Sequence, residues 1–472
     1  MEINQLITAI TGEMLPGGSL PISEFVIDSR QAIIQSLFIA LPGEHVNGHQ
    51  FVDSSFEKGA SFALIDQPDS TGHPTLDLRK GSRRSGQPFP EPPFAILVDN
   101  TLSALQKCAS WWRDQFSVRV IGITGSVGKS STKELTASVL SRRFITLKSP
   151  GNMNNEIGLP LSVLKLTAAH EVAVLEMGFY VPGEIKLLCE IAKPQVGIVT
   201  NIGTVHAERA GSQEIIAEGK AELIKALPPS PEGIAILNLD DPFVKKMASQ
   251  TKAKVFYYGL DPKADLWADE IVGLGLEGIH CQLHYMGETL FVKAPLIGRH
   301  SVYTLLRATA VALNEGMTWE WIIYALHSSK VQLRLTTVKT TNGAMLIDDT
   351  YNASPPSTLA ALNLLQDLEG RRVAVLGDML ELGQYEYQGH WMVGIRAAEI
   401  ADEIVLIGER SKITAEGALS AGYDKAKIHW FANASDAVEY LARSLKKGDT
   451  TLIKGSHSMQ MDKIVTALED HS

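Results

Sequence analysis

Short apolar, β-branched runs alternate along the chain with longer stretches in which apolar residues have a helical spacing. In the central region these runs lie at 119–124, 171–175 and 196–200. The C-terminal region has four more, at 344–347, 372–376, 403–407 and 450–453. Helices are predicted between them at 358–368 and 436–445, the second with Ser435 as its N-cap. Strands that alternate with helices form mostly parallel sheets covered on both faces. We therefore predict an α/β protein with a mostly parallel central sheet over residues 99–330 and a Rossmann-like, doubly wound C-terminal domain over residues 331–472.

The first 98 residues show a smaller α/β pattern, with strands at 36–41 and 61–65 and part of a helix at 53–58. The composition changes between residues 66 and 94, where six prolines and a basic cluster at 79–84 occur. Such a composition is typical of an exposed loop. We predict a flexible insertion there, and the alternative is a docking site for an acidic partner.

One lysine lies where an apolar residue is expected. A helix is predicted at 213–227, and its apolar stripe consists of Ile216, Leu223, Ile224 and Leu227. Lys220 falls on the same stripe, four residues after Ile216. A charged lysine on an inward face is unfavourable unless it is paired or modified. The alternative is a side chain that extends along the edge of the stripe to reach water.

Size and composition exclude several classes of protein. The 472 residues suggest two to four domains, and a net charge of −10 argues against a general nucleic-acid binder. The three cysteines, Cys108, Cys189 and Cys281, are scattered, which fits a reducing compartment and argues against a zinc site. The N-terminus lacks the features of a signal peptide, and no run of about 18 apolar residues occurs. We expect a cytoplasmic protein that does not insert into membranes.

The segment after the first central strand has the layout of a phosphate-binding loop. Thr124-Gly125-Ser126-Val127-Gly128-Lys129-Ser130 lies between an apolar strand and a predicted helix. Glycines let the backbone wrap around phosphates, and the N–H groups at the start of the helix point at them. Lys129 supplies a positive charge, and the hydroxyl of Ser130 or Ser131 can bind Mg²⁺. The loop is a shortened variant, because Ile123 stands where the usual P-loop has its first glycine.

Polar residues follow the other central strands at the same edge of the predicted sheet. Glu176 comes after the strand at 171–175, and His206 comes soon after the strand at 196–200. Ligands of open α/β sheets bind beyond the carboxyl ends of the strands. We expect Lys129, Glu176 and His206 to converge there, although each of the last two taken alone is more often a turn residue. A carboxylate and a hydroxyl suit Mg²⁺, whereas histidine is a less usual ligand for it.

The C-terminal strands end in the same way. The polar segments that follow them are Asp348-Asp349, Gly377-Asp378, Gly408 and Lys454-Gly455-Ser456. Each could be an ordinary turn. Two domains with polar carboxyl edges nevertheless suggest a reaction between them, with a nucleotide on the central domain and a second substrate on the C-terminal one.

These motifs resemble the Mur ligase family of peptidoglycan synthesis over nearly the whole chain. The resemblance is carried by segments in a fixed order, namely 28–30, 37–43, 124–133, 151–160, 175–178, 201–206, 298–300, 348–353, 376–383 and 454–456. The segments Asp348-Asp349-Thr350-Tyr351-Asn352-Ala353 and 376–383 favour the branch that adds a dipeptide. The resemblance implies three domains: an N-terminal UDP-binding domain over 1–98, a central P-loop-type ATPase domain and a C-terminal ligase domain.

The implied activity is the ATP-dependent joining of D-alanyl-D-alanine to UDP-N-acetylmuramoyl-tripeptide through an acyl phosphate. The implied catalytic residues are Lys129, His206 and Lys220. Two Mg²⁺ ions are implied, with ligands Ser130, Glu176, His206 and a carbamylated Lys220. The implied nucleotide-binding residues are Thr124, Gly125, Ser126, Val127, Gly128, Lys129, Ser130, Ser131, Arg334 and Asp349. The implied substrate-binding residues are Ser29, Arg30, Asn154, Asn155, Tyr351, Asn352 and Lys454. We expect a monomer without a nucleic-acid partner.

Four positions depart from the pattern of that family. Ser301 and Thr304 replace two asparagines near the end of the central domain, so the usual contact to adenine is open to question. Ser354 replaces an asparagine, and His457 stands where arginine is common. We expect these changes to tune affinity. Alternative functions are a ligase of the same family that adds a single amino acid, a P-loop regulatory or nucleic-acid-coupled NTPase, and a nucleotide-binding scaffold without activity.

Overall fold

A computed structural model of the chain describes residues 1–13, 19–43, 46–68, 72–80, 89–204, 207–328 and 336–469. The chain divides into two compact units. The first contains Met1–Val120, Ser149–Glu171 and Leu187–Lys193, and the second contains Ile121–Lys148, Val172–Lys186 and Pro194–Ser472. The described residues form three sheets of five, nine and six strands. The mixed α/β class with parallel-rich sheets is therefore confirmed, whereas the exact domain boundaries stay predictions.

The first sheet lies in the first unit, and all of its pairs are parallel in the order β1-β2-β3-β5-β4. The elements up to the central region are α1 Ile3–Thr11, β1 Phe25–Val26, β2 Leu37–Ile39, α2 Val52–Glu57, β3 Phe62–Ile65, β4 Thr75–Asp77, β5 Phe94–Leu97 and α3 Thr101–Arg113. Strands β2, β3 and β5 are buried along their whole length. Continuous apolar runs of this kind are typical of a parallel sheet.

The interpretation of residues 66–94 as one exposed loop is wrong in part. Strand β4 lies inside this segment and pairs in parallel with β5 at the edge of the sheet. Its side chains alternate in burial, and Leu76 and Leu78 are only 5% and 3% exposed. Two leucines two residues apart on one face of an edge strand are enough to hold it on the sheet. Residues 69–71 and 81–88 of the segment lie outside the described part of the chain.

The second sheet has nine strands in the order β14-β13-β12-β11-β10-β9-β6-β8-β7. Its strands are β6 Arg119–Thr124, β7 Thr146–Lys148, β8 Val172–Glu176, β9 Val196–Val199, β10 Ile234–Asn238, β11 Lys254–Gly259, β12 Leu266–Gly273, β13 Ile279–Tyr285 and β14 Glu288–Ala294. Helices of this region are α4 Lys129–Leu140, α5 Gly158–Val163, α6 Glu184–Ala192, α7 Ala207–Ala210, α8 Gln213–Lys225, α9 Pro242–Lys246, α10 Val302–Asn314 and α11 Trp319–His327.

The mostly parallel character predicted for the central sheet is confirmed, with an antiparallel extension that the sequence did not indicate. Strands β9 to β12 pair in parallel, as do β6 with β9 and β7 with β8. Strands β12, β13 and β14 form antiparallel pairs at one edge. Helices α4 and α10 share one apolar cluster with the sheet. The phosphate loop between β6 and α4 is thus held at the middle of the sheet.

The third sheet has the order β15-β16-β20-β17-β18-β19, with β15 antiparallel to β16 and the other pairs parallel. Its elements are β15 Thr336–Lys339, β16 Met345–Asp349, α12 Pro355–Gln366, β17 Arg372–Gly377, α13 Glu386–Ile400, β18 Glu403–Ile407, α14 Ser411–Ser420, β19 Ile428–Phe431, α15 Ala434–Ser444, β20 Thr450–Lys454 and α16 Asp462–Leu468. Ala374 and Leu376 pack on one side, and Val373 and Val375 on the other. Apolar clusters on both faces confirm the doubly wound prediction.

The predicted N-cap of helix α15 is wrong by two residues. Asn433 is the N-cap, and its side chain accepts a hydrogen bond of 3.1 Å from the backbone N–H of Asp436. Ser435 lies inside the first turn of the helix. Asparagine and serine are about equally good caps, so the local sequence did not distinguish them.

Among the described residues, no helix combines the length and the apolar character that a membrane span requires.

Candidate active site

The loop between β6 and α4 is shaped by two glycines with positive φ angles. Gly125 has φ +139° and Gly128, the N-cap of α4, has φ +85°. A Cβ atom on Gly125 would lie 1.8 Å from the Oγ1 atom of Thr200, so no other residue fits at this position without displacing its neighbour. The loop therefore packs against the carboxyl end of β9, and its N–H groups remain at the start of α4 where phosphates bind.

The segment after β9 holds the loop through side chains. Asn201 Oδ1 accepts from the N–H of Val127 at 3.0 Å, and Asn201 Nδ2 donates to the Val127 carbonyl at 3.1 Å. Thr200 Oγ1 donates to the same carbonyl at 2.7 Å, and the N–H of Gly203 donates to Ser126 Oγ at 2.8 Å. These supporting residues were missed by the sequence reasoning, which took the 201–206 segment chiefly as the source of His206.

Two lysines meet at one carbonyl oxygen of the loop. Lys129 Nζ donates to the Gly125 carbonyl at 2.9 Å, and Lys220 Nζ donates to it at 3.2 Å. Lys220 is 1% exposed and its Nζ lies 4.7 Å from the centre of the Phe179 ring. Burial and the nearby positive charge of Lys129 lower the pKa of Lys220 well below its ordinary value. The inward position of Lys220 on α8 is therefore confirmed, and the alternative of a solvent-reaching side chain is excluded.

Ser130 and Glu176 form a pair of oxygen ligands beside the loop. Ser130 Oγ donates to Glu176 Oε2 at 2.6 Å, and Glu176 is 2% exposed. Lys133, one turn further along α4, lies with its Nζ 4.0 Å from Glu176 Oε2 and 3.2 Å from Glu134 Oε1. A hydroxyl and a carboxylate are the hard ligands that Mg²⁺ prefers, and water completes such sites. No group of three or more acidic, histidine or cysteine side chains suited to a metal occurs within the described ranges, and His206 lies outside them.

The predicted polar residues of the C-terminal sheet come together at its carboxyl edge. Lys454 is 2% exposed, and its Nζ donates to Asp349 Oδ2 at 2.7 Å and to the Asn352 carbonyl at 2.8 Å. Asp378 accepts from the N–H of Ser411 at 2.7 Å, and burial raises the pKa of Asp378 above its ordinary value. Tyr351 is 38% exposed, and the centre of its ring lies 6.1 Å from that of His457.

Two of the departures from the family pattern have structural roles. Ser301 Oγ donates to the Ile297 carbonyl at 2.6 Å just before helix α10. Thr304 Oγ1 accepts from Nη2 of Arg307, which is 3% exposed and reaches toward Gly128 of the loop. The sequence reasoning missed Arg307. The available signal was an arginine inside the run 305–312, in which every other residue except Thr309 is apolar.

The predicted substrate residues of the first unit are placed by local hydrogen bonds. Ser29 is buried and accepts from the hydroxyl of Ser54 at 3.3 Å. Arg30 is exposed and pairs with Asp28 at 2.7 Å, which lowers the pKa of Asp28 to about 2. Asn155 Oδ1 accepts from the N–H of Gly158 at 2.8 Å at the start of α5. Asn154 is half-buried.

Of the other predicted site residues, Ser131 lies in the first turn of α4, whereas Arg334 is outside the described part of the chain.

Known proteins are similar to this chain in sequence and in fold. Residues 123–312 match the Mur ligase middle domain, and residues 333–457 match the Mur ligase, glutamate ligase domain. The UDP-N-acetylmuramoyl-tripeptide–D-alanyl-D-alanine ligase of Bacillus subtilis (strain 168) is 36% identical over 446 residues, covering 93% of this chain and 92% of that protein. The enzyme of the same name from Escherichia coli (strain K12) is 31% identical over 477 residues, covering 100% of this chain and 99% of that protein.

Solved structures agree with the sequence comparison. A crystal structure of MurF from Acinetobacter baumannii superimposes with a TM-score of 0.84 and 29% identity, covering 98% of both chains. The MurF ligase from Thermotoga maritima, solved in complex with ADP, has a TM-score of 0.78 and 27% identity, covering 94% of this chain and 96% of that one. The resemblance stated from the motifs is thereby confirmed across the whole length of the chain.

Proposed function

This chain belongs to the Mur ligase family, and we propose that it joins D-alanyl-D-alanine to UDP-N-acetylmuramoyl-tripeptide at the expense of ATP. The product is the UDP-MurNAc-pentapeptide precursor of peptidoglycan. One observation carries the proposal: the hydroxyl of Ser130 and the carboxylate of Glu176 lie 2.6 Å apart beside a phosphate-binding loop. The names of the relatives supply the choice of substrates.

The reaction has two balanced steps. An oxygen of the terminal carboxylate of the tripeptide attacks the γ-phosphorus of ATP, and the bond to the β-phosphate oxygen breaks to release ADP. The amine of D-Ala-D-Ala then attacks the acyl carbon, loses a proton and expels phosphate. Lys129 and the N–H groups at the start of α4 neutralise charge on the phosphates, which is the main task in phosphoryl transfer.

Ser130 and Glu176 are the described residues that would hold Mg²⁺. When bound, the ion neutralises charge on the transferring phosphoryl group. Their contact fits this role because it brings the Ser130 hydroxyl at the start of α4 to 2.6 Å from the Glu176 carboxylate at the end of β8. The second ion, with His206 as a ligand, remains a proposal from the family resemblance. A cytoplasmic location and a monomeric state also remain predictions from the sequence.

Lys220 is proposed to react with CO₂ at its Nζ atom. The lone pair of a neutral amine attacks the carbon of CO₂, and one proton is released to leave an anionic carbamate. Burial supports this step, because it lowers the pKa of Lys220 and so favours the neutral amine. A carbamate on Lys220 would form an ion pair with the neighbouring Lys129, and its oxygens would add to the ligands of the second ion.

The remaining predicted residues are proposed to bind the two substrates. Ser29 and Arg30 would receive the UDP moiety, and Asn154 and Asn155 would contact the tripeptide-bearing substrate. Tyr351, Asn352 and Lys454 would contact the acyl phosphate or the incoming dipeptide. Asp349 and Arg334 would close on the nucleotide.

A coupled assay tests the function. Purified protein with ATP, Mg²⁺, UDP-MurNAc-tripeptide and D-Ala-D-Ala is expected to yield UDP-MurNAc-pentapeptide and phosphate in equal amounts, detected by mass spectrometry and a phosphate assay. Both the diaminopimelate and the lysine tripeptide are supplied, because the sequence does not distinguish them. Replacing D-Ala-D-Ala by single amino acids tests the ligase alternative, and adding nucleic acid tests the NTPase alternative. Product with a single amino acid, or hydrolysis that depends on nucleic acid, would contradict the proposal.

A further inference from the structure

Helix α10 places an arginine inside the protein beside the phosphate loop. Arg307 is 3% exposed, and its neighbours Leu305, Leu306, Ala308 and Thr309 are each fully buried. Arginine is rarely buried to this extent unless an acidic group or several carbonyl oxygens surround it. The contacts of its guanidinium group therefore distinguish a structural role from a role in ligand binding.

Arg307 is incompletely satisfied. Its Nη2 donates to Thr304 Oγ1 at 3.0 Å, and its guanidinium carbon lies 5.9 Å from the centre of the Tyr258 ring. Its Nε is buried without any hydrogen-bond acceptor. Within the described ranges, no carboxylate forms an ion pair with this guanidinium group.

Two carboxylates on the neighbouring loop are engaged with other groups. Asp240 accepts from the hydroxyl of Tyr303 at 3.0 Å and from the N–H of Leu260 at 2.7 Å. Asp241 accepts from the N–H groups of Phe243 and Ile202 at 2.9 Å and 2.8 Å. Both carboxylates therefore hold the backbone of the loops, and neither forms an ion pair with Arg307.

Another buried arginine of the same chain shows what a structural role looks like. Arg113 is 5% exposed, and it donates from Nε, Nη1 and Nη2 to the carbonyls of Ala192, Phe116 and Val118, each at 2.9 Å. Its fork is thus fully satisfied within the fold. Arg307 instead contacts two side-chain hydroxyls, those of Thr304 and Tyr258, and its Nε has no acceptor, although the two arginines are almost equally buried.

The guanidinium group of Arg307 lies at the phosphate loop. Its Nη2 is 3.1 Å from the position that a Cβ atom on Gly128 would occupy, and Gly128 is the N-cap of α4. The start of a helix carries partial positive charge, and so do the N–H groups around it. A second positive group against such a start is unfavourable unless an anion binds between them.

We propose that Arg307 is a nucleotide-binding residue whose guanidinium group donates to phosphate oxygens of ATP at the Gly125–Lys129 loop. The inference rests on the proposed ATP-dependent function. The planar fork of arginine matches a phosphate oxygen pair, and Thr304 holds it in orientation through Nη2. This contact lies beyond the loop itself and adds a charge that the motif Gly-Lys-Ser alone does not supply.

Calorimetric titration of the full-length protein tests the proposal, with ADP, adenosine and inorganic tripolyphosphate as separate probes. The substitution Arg307→Met removes the charge and keeps the length of the side chain. It is expected to weaken binding of ADP and of tripolyphosphate about 10- to 100-fold and to leave adenosine binding unchanged. Without nucleotide, Arg307→Met is expected to unfold at the same temperature as the wild type or higher, because an unpaired buried charge is removed.

The controls separate this inference from a structural role and from the proposed function. Arg113→Met is expected to lower the melting temperature without a selective effect on phosphate-bearing probes. Arg307→Lys keeps a positive charge and is expected to retain part of the affinity for tripolyphosphate, so it tests the proposal even if Arg307→Met does not fold. Unchanged affinity for ADP, or an equal loss for ADP and adenosine, would overturn the inference while the ligase function stands. If the wild-type protein does not bind ADP at all, the proposed function itself fails.

Discussion

The hydroxyl of Ser130 donates a hydrogen bond of 2.6 Å to Oε2 of Glu176, although the two residues are 46 positions apart in the sequence. Ser130 lies in the first turn of α4, and Glu176 is the last residue of β8, the strand beside β6. The sheet thus brings a hydroxyl and a carboxylate to the point where the phosphates of a nucleotide bind. The geometry makes this pair the most direct target for a substitution.

Glu176→Gln is expected to lower kcat by about 10²- to 10³-fold and to raise the Mg²⁺ concentration needed for half-maximal rate. Glutamine keeps the volume and one acceptor for Ser130, so the loss reports the missing charge. The measurement is the ligase rate as a function of Mg²⁺ concentration. Glu439→Gln is the control, because Glu439 is exposed and pairs with exposed Arg443 away from this site. Equal rates for Glu176→Gln and the wild type would contradict the metal role.

Lys220→Ala is expected to lose most ligase activity, by about 10²-fold or more, because a group next to Lys129 and the phosphate loop is removed. If Lys220 acts as a carbamate, short-chain carboxylates such as acetate should restore part of the rate in the alanine variant. The same additions should not raise the rate of the wild type. Lys225→Ala, on the exposed face of α8, serves as the control. Full activity of Lys220→Ala would refute the role of this lysine.

The chain order of strands and helices made much of the fold and half of the site predictable. Lys129, Ser130 and Glu176 converge because each lies at or just beyond the carboxyl end of a parallel strand, and the carboxyl ends of such strands meet at one edge of the sheet. Lys220 was found because it lies on the apolar stripe of a predicted helix. Burial of a charged lysine there is unfavourable unless the lysine is paired or modified. Both inferences depend on local patterns, which a single sequence contains.

The parts that were missed depend on contacts between distant segments. Asn201 and Thr200 support the phosphate loop, yet their side chains look like those of any polar turn. Arg307 lies on α10, contacts Thr304 of the same helix and approaches Gly128 of the phosphate loop. No local sequence pattern indicates which loop α10 packs against. Strand β4 was missed because its segment is rich in proline and contains only two buried leucines. Two positions are too few for an alternating pattern to be recognised.

Gly125→Ala is expected to weaken ADP binding at least about 10-fold and to lower the free energy of unfolding by about 2 kcal/mol. The added Cβ would clash with Thr200 Oγ1 at 1.8 Å and with the Thr200 backbone nitrogen at 2.9 Å. Titration calorimetry and chemical denaturation measure the two effects. Gly422→Ala is the control, since Gly422 also has a positive φ but open space around it. An equal effect of both substitutions would attribute the loss to backbone strain alone.

Lys454→Met is expected to destabilise the protein by about 3 kcal/mol, because it leaves Asp349 without its buried partner. The double variant Asp349→Asn with Lys454→Met removes both charges and should recover at least about 1 kcal/mol of this loss. Chemical denaturation of the four proteins in the cycle gives the coupling energy. Strictly additive effects would show that the 2.7 Å contact contributes no coupling of its own.

The buried ring of His390 is expected to make the stability of the C-terminal domain depend on pH. It lies beside the loop that contains Asp378. The ring is fully buried; its Nε2 accepts from the N–H of Met379 at 3.1 Å, and its Nδ1 contacts the Glu386 carbonyl at 2.9 Å, an arrangement that requires the neutral ring with its proton on Nδ1. Burial lowers the pKa of His390 below its ordinary value of 6.5, against the opposing effects of Asp378 and Glu386.

Because the folded-state pKa of His390 lies below the unfolded one, its stabilising contribution is complete above the unfolded pKa and is lost as the pH falls toward the folded pKa. His390→Gln removes the titration and keeps groups that can accept and donate. The difference in unfolding free energy between the wild type and His390→Gln is therefore expected to shrink as the pH falls from about 7.5 to about 5.5. Asp378, Glu386 and Arg410 are present in both proteins, so their titration largely cancels. Denaturation curves at the two pH values measure the difference, and a value that does not change with pH would rule out the neutral, buried state of His390.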